Sequence, residues 1–303
     1  MTSASGPGLP ERLGGVPPGL PERLSGVPCR IAIVVTFFGT PPIWLPAFFR
    51  SCQTNPDVRW LIYADFDVPT PPNVTIKRME LREFNARASA AVGTTITIDP
   101  ALVRKICDFK PLYGLMFADD LRDFEFWAYS DLDVIWGDIR QFATDELLNG
   151  HIIVSPRQRK LGGHGTFWRN TEANNRLFEL VPDVLAHLTN PHYVRVDENL
   201  LTRALRELIA TTSFKARPKI YWEDEMTITA EYQKALLASE RDWQLPWREG
   251  HAFDADGREV MYVHFHKLVT CLTSIDFAFG DEPRAFSLTR TGIVSAPQAP
   301  LAP

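Results

Sequence analysis

Hydrophobic and polar positions fall into two rhythms along this chain. The first half is built from compact apolar runs separated by short polar breaks. Arg30 to Phe38 is almost unbroken apolar sequence, the pattern of a parallel strand covered on both faces. Trp44 to Cys52 predicts a helix, Val58 to Ala64 a second strand, Val74 to Met79 a short third strand, and Leu81 to Ala91 a further helix. Strand and helix in alternation imply right-handed crossovers and a mainly parallel sheet. Pro111 fits the first turn of a helix, which then leads into the aromatic run Phe124 to Ser130. A helix to about Leu148 and a strand over His151–Ser155 complete this half.

The second half is less regular. Gly162-Gly163-His164-Gly165-Thr166-Phe167-Trp168-Arg169-Asn170 reads as a glycine-rich loop entering an aromatic strand, and 171–180 and 199–209 read as helices. Met261 to Lys267 reads as a strand whose alternation puts His264 and His266 on one face. Residues 7–28 hold two copies of an 11-residue Pro/Gly-rich unit, too few for a solenoid and expected to be a disordered tail. A second disordered tail is expected over 291–303. The folded body is then a single domain over 29–290, with a ligand-binding half over 29–150 and a second half over 151–290.

Composition changes this picture little. Of 303 residues 45% are hydrophobic and 23% charged, and the net charge is −5. With no long basic run, nucleic acid is not the expected partner. The apolar stretches are too short for a membrane span, and the start of the chain lacks the pattern of a secretory signal. The four cysteines, Cys29, Cys52, Cys107 and Cys271, are widely spaced and read as reduced thiols of a cytoplasmic protein.

Charge inside an apolar run is more informative. Phe126-Trp127-Ala128-Tyr129-Ser130 ends in Asp131-Leu132-Asp133. Carboxylates without a partner are costly to bury, and two of them closing a buried strand suit a hard divalent cation taken up with a phosphorylated ligand. Two other Asp-x-Asp patterns differ in context. Asp254-Ala255-Asp256-Gly257 sits in a polar stretch and reads as a turn. Asp65-Phe66-Asp67 ends the second strand, so Asp65 and Asp131 both fall at carboxyl ends, where such sheets bind ligands. Lys110, at an expected helix start, is a cation where the dipole favours an anion, which suggests a phosphate nearby; the plain alternative is a surface lysine.

The blocks Lys105-Ile106-Cys107-Asp108-Phe109-Lys110-Pro111-Leu112-Tyr113-Gly114, Phe126 to Asp138 and Gly163 to Asn170, with the late His264-Phe265-His266-Lys267, resemble a poorly characterised family of bacterial glycosyltransferase-like proteins (DUF6625-like). That family is similar to the GT-A class of nucleotide-sugar-dependent glycosyltransferases. The resemblance implies an α/β/α sandwich, Mn2+ or Mg2+ bridging a nucleotide-diphosphate sugar, and transfer of the sugar to a hydroxyl of a glycan or glycolipid acceptor. It implies Asp133 as the main metal ligand with Asp131 as its partner, and His264 or His266 as a further ligand. Lys110 and Lys267 would pair with phosphate and Asp65 with the nucleoside. Gly163 and His164 would allow close approach to a sugar, or else form a tight hairpin. Asp197 and Glu198 would take the acceptor's proton, or else serve as a helix-start pair. Cell-surface glycan assembly, with peripheral membrane contact, is the expected setting. Two rivals stand beside this reading: a haloacid-dehalogenase-type phosphatase with Asp131 as nucleophile, and an inactive nucleotide-sugar binder.

Overall fold

The computed structural model describes residues 30–213 and 216–296. The duplicated segment and its expected disorder lie outside the described residues. In chain order the strands are β1 (Ile31–Phe37), β2 (Val58–Ala64), β3 (Val74–Arg78), β4 (Phe126–Ser130), β5 (Val134–Trp136), β6 (Ile153–Val154), β7 (Phe167–Arg169) and β8 (Ile220–Tyr221). They are followed by β9 (Gln244–Arg248), β10 (His251–Phe253), β11 (Glu259–Val260), β12 (Tyr262–His264), β13 (Ala285–Thr289) and β14 (Ile293–Ser295).

The apolar runs of the first half form the middle of a seven-stranded sheet of order β3-β2-β1-β4-β7-β6-β8. β1 to β4 are mutually parallel, β7 runs antiparallel to β4 and β6, and β8 is parallel to β6. Both faces of the central strands are covered. Ala32 and Val34 of β1 pack with Tyr63, Trp127 and Tyr129 against the helices Leu81–Val92 and Leu201–Thr211. Ile31, Ile33 and Val35 face the other way, onto the helix Leu45–Gln53. Continuous apolar sequence is what two-sided burial requires. The chain is thus a mixed α/β single domain with a mainly parallel central sheet.

Three expectations are corrected, and one sheet is added to them. The segment before β4 is not one helix starting at Pro111: a 3-10 run spans Pro100–Leu112, followed by the short helices Tyr113–Met116 and Ala118–Leu121. Pro111 lies inside the 3-10 run. The helix expected over 171–180 divides into a single turn, Glu172–Asn175, and a 3-10 turn, Leu177–Leu180. A second, antiparallel sheet of order β11-β10-β9-β13-β14 was not foreseen, and it carries its own core around Trp243, Trp247, Phe286 and Ile293. β14 also lies beyond residue 290, inside the stretch expected to be a disordered tail; it is ordered because its Ile293 is buried and pairs with β13. The Asp254–Gly257 turn joins β10 to β11, with Asp254 accepting the N–H groups of Asp256 and Arg258.

Candidate functional site

β4 ends at Ser130 on the carboxyl edge of the sheet, and the chain turns through Asp131-Leu132-Asp133 into β5. Leu132 points inward and is buried, and Trp44 Nε1 donates to its carbonyl at 3.0 Å. That anchor leaves the flanking aspartates turned the other way. β5 pairs antiparallel with β12 so that Val134 faces His264, and the Phe265 N–H donates to the Asp133 carbonyl at 3.0 Å. Two segments distant in sequence therefore deliver two carboxylates and an imidazole to one point.

The ligand atoms of Asp131, Asp133 and His264 all lie within 4.8 Å of one another. His264 Nε2 is 3.4 Å from Asp133 Oδ1. The side chains are 31%, 21% and 12% exposed, enough to be reached from outside. Burial works against ionising Asp133, yet the His264 imidazole and the charges of Lys110 and His266 outweigh it and hold the carboxyl below its usual range. Carboxylate oxygens with an imidazole nitrogen form a donor set that fits a divalent cation, and the imidazole suits Mn2+ better than Mg2+.

Lys110 sits beneath this group. Its Nζ lies 2.7 Å from Asp131 Oδ1 and donates to the Gly163 carbonyl at 2.5 Å, with the Tyr129 ring 5.8 Å away. Desolvation opposes its charge, but Asp131 above all keeps it protonated, with a pKa well above the usual lysine value. The expected helix-start cation aimed at phosphate is therefore corrected. Lys110 is buried, and its charge is directed at Asp131.

His264 stands between two other imidazoles, with ring centroids 3.7 Å from His164 and 4.6 Å from His266. His164 is buried; its Nδ1 lies 2.7 Å from the Tyr262 hydroxyl, which also donates to the His164 carbonyl. Burial, with the neighbouring cationic groups, pushes the His164 imidazole well below its usual value. Burial first and His264 second push His266 down to about 4, and its Nδ1 is buried without a partner. Both late histidines thus reach the site, with His264 inside the carboxylate cluster and His266 stacked on its outer side.

The glycine-rich loop packs against acid rather than open space. A Cβ on Gly163 would stand 2.9 Å from Glu198 Oε1 and 3.2 Å from Asp197 Oδ2. Close approach at Gly163 is made by these carboxylates, not by room for a sugar. Asp197 and Glu198 lie on one π-helical turn, Val196–Leu200, continuous with the helix Leu201–Thr211. Such turns occur often at functional sites. Asp197 is buried, accepts from the Tyr193 hydroxyl at 3.2 Å, and is pushed up to about 7, chiefly by burial. Glu198 is only half-buried.

Asp65 and Lys267 lie further out. Asp65 closes β2, separated from β4 by β1, and its Oδ1 accepts the Gly39 N–H at 2.9 Å. Lys267 is exposed beside His266, and its backbone N–H donates to Gln233 Oε1. Sequence reasoning missed Tyr262, which orients His164, and the buried ion pair Lys105–Asp108. The signal for the pair was present as a lysine and an aspartate three apart within the Lys105–Gly114 block.

Together these features define a mixed α/β domain with an acidic, imidazole-bearing site at the carboxyl edge of its parallel strands. A family model described as a family of unknown function (DUF6625) matches residues 33–295, and the chain belongs to that family. No curated protein matches it. Among the described residues no helix is long and apolar enough to cross a membrane.

Proposed function

We propose that this protein is a metal-dependent glycosyltransferase of GT-A type, moving a sugar from a nucleotide-diphosphate sugar to an acceptor hydroxyl in the cytoplasm of a bacterium, in cell-surface glycan or glycolipid synthesis. The observation that carries this reading is the convergence of Asp131, Asp133 and His264 at the end of β4. Parallel sheets bind ligands at that edge. A divalent cation held there would neutralise charge gathering on the departing diphosphate.

The chain's own groups supply the rest. Lys110 pairs with Asp131 and fixes its carboxylate beside Asp133. Asp65, at the end of β2, would bind the nucleoside. Lys267, exposed next to His266, offers a point charge to the diphosphate. Glu198, the accessible member of the acidic pair, takes the proton from the attacking hydroxyl. The convergence of two carboxylates and an imidazole on one point supports a cation site over Asp131 as a lone phosphatase nucleophile.

A thermal-shift screen of sugar nucleotides with and without Mn2+ tests this reading, because a ligand bound to the native state raises its melting temperature by mass action. A shift requiring both nucleotide and cation is expected. Asp133→Ala should abolish the cation-dependent part while leaving a cooperative melt. A full shift in that variant would remove the assignment, and binding without transfer or hydrolysis would favour an inactive binder.

A further inference from the structure

Lys105 and Asp108 are among the most deeply buried charges in the protein, 1% and 0% exposed, with Lys105 Nζ 2.8 Å from Asp108 Oδ2. An ion pair is expensive to bury, and stability alone is weak grounds for keeping one. Its bonds all reach toward the same segment. Asp108 accepts the N–H of Val194 at 2.9 Å and of Val196 at 2.8 Å, while Lys105 donates to the carbonyls of His187 and His192 at 2.7 and 3.1 Å. Between the two anchored amides stands Arg195, a non-glycine residue at φ +62°. Such a backbone is strained and persists only where its surroundings hold it. The next residues are Asp197 and Glu198, on their π-helical turn.

The same 3-10 run also carries Lys110, bound to Asp131 and to Gly163. One short segment thus holds Asp131 at one end and, at the other, the backbone leading into the acidic pair.

We propose that the Lys105–Asp108 pair is a positioning device, pinning the strained 192–196 segment so that Asp197 and Glu198 stand at a fixed distance from the Asp131–Asp133 site. This rests on the reading of Asp197 and Glu198 as the proton-handling pair of a transferase. Neither Lys105 nor Asp108 touches a reacting atom. Asp108 sets the backbone, and the backbone sets the carboxylates. The groups facing Asp197 are Lys110, Cys107 and Asp108 from the 3-10 run, Tyr193 and Glu198 from its own segment, and Tyr129 from β4.

Four measurements test this. In the wild-type protein the amides of Val194 and Val196 should exchange with solvent as slowly as core amides; exchange at loop rates overturns the proposal without any variant. Asp108→Asn alone strands a buried lysine, so the folded test is the double variant Lys105→Met/Asp108→Asn, which leaves neither charge unpaired. In it the Mn2+-dependent thermal shift should persist, because Asp131, Asp133 and His264 are untouched. The kcat for release of nucleoside diphosphate should fall by about tenfold or more at unchanged KM for the sugar nucleotide. The Asp197 carboxyl, followed by 13C NMR, should titrate about one unit lower or more, beyond the drop that Asp108→Asn causes by removing a like charge, as the loosened segment admits water. A titration lowered by no more than that drop overturns the proposal, as does an unchanged kcat. If the wild type turns over no sugar nucleotide, the transferase reading fails, and the exchange and titration results still decide the positioning claim.

Discussion

Asp197 and Glu198 are chain neighbours with opposite surroundings, and burial separates their chemistry. Glu198 reaches the outside, whereas Asp197 is sealed against Tyr193 and titrates near 7. An acid whose native pKa lies above its unfolded value of about 4 binds more protons folded than unfolded across the interval between them. Its contribution to stability is full below about pH 4 and is lost as pH rises through 7. The slope from this one group approaches about 1.4 kcal/mol per pH unit. Urea denaturation from pH 4 to 8 should show this decline, and Asp197→Asn should flatten it. An equally steep decline in the variant would place the titration elsewhere.

At the level of elements, the glycine-rich loop shows how local backbone and distant packing share one solution. Gly165 adopts φ +66°, its N–H donates to the Tyr129 carbonyl at 2.7 Å, and a Cβ there would meet Tyr262 Cε1 at 2.7 Å. Gly165→Ala therefore combines a left-handed backbone with a steric clash, and should cost about 2 kcal/mol or more by chemical denaturation. It should also displace Tyr262 and free the His164 ring; a shift of the His164 imidazole resonances toward ordinary titration would report this.

The loop's glycines were visible in the sequence; their reason was not, because Tyr262 lies far along the chain. β1, β2, β3 and the helix Leu81–Val92 were legible almost to the residue. There, long apolar runs meet sharp polar boundaries, and the helix opens with a Glu80–Glu83 capping box. The Asp131–Asp133 turn was legible because charge interrupts an aromatic strand. The second sheet was not, since strands of two to five residues such as β11 and β9 carry too few positions to establish alternation. Nor could a sequence reveal that Lys110 points inward, because a lysine's burial depends on a partner supplied by another element.

Across the whole molecule, the two sheets depend on one another through the β5–β12 ribbon. Trp247 of β9 donates its Nε1 to the Trp136 carbonyl at the end of β5, and the Gly137 N–H donates to Met261 next to β12. The antiparallel sheet is thus the support for the strand that carries His264. Ending the chain at Arg290 would remove β14 and uncover Phe286, Leu288 and the edge of β13. That truncation should lower the melting temperature and weaken the Mn2+-dependent shift, although it removes no proposed ligand. A truncated protein with undiminished cation response would show that β12 holds its place unaided.

The site's three candidate ligands come from segments far apart in the chain. Asp131 and Asp133 lie just after the fourth strand, and His264 belongs to a segment added long after the central sheet is complete. An ion shared among them would fasten a very large loop, so its uptake would act like a rivet through two plates. The saturated protein should then come apart in one step, while the chelated protein should begin to part along the seam between its two sheets.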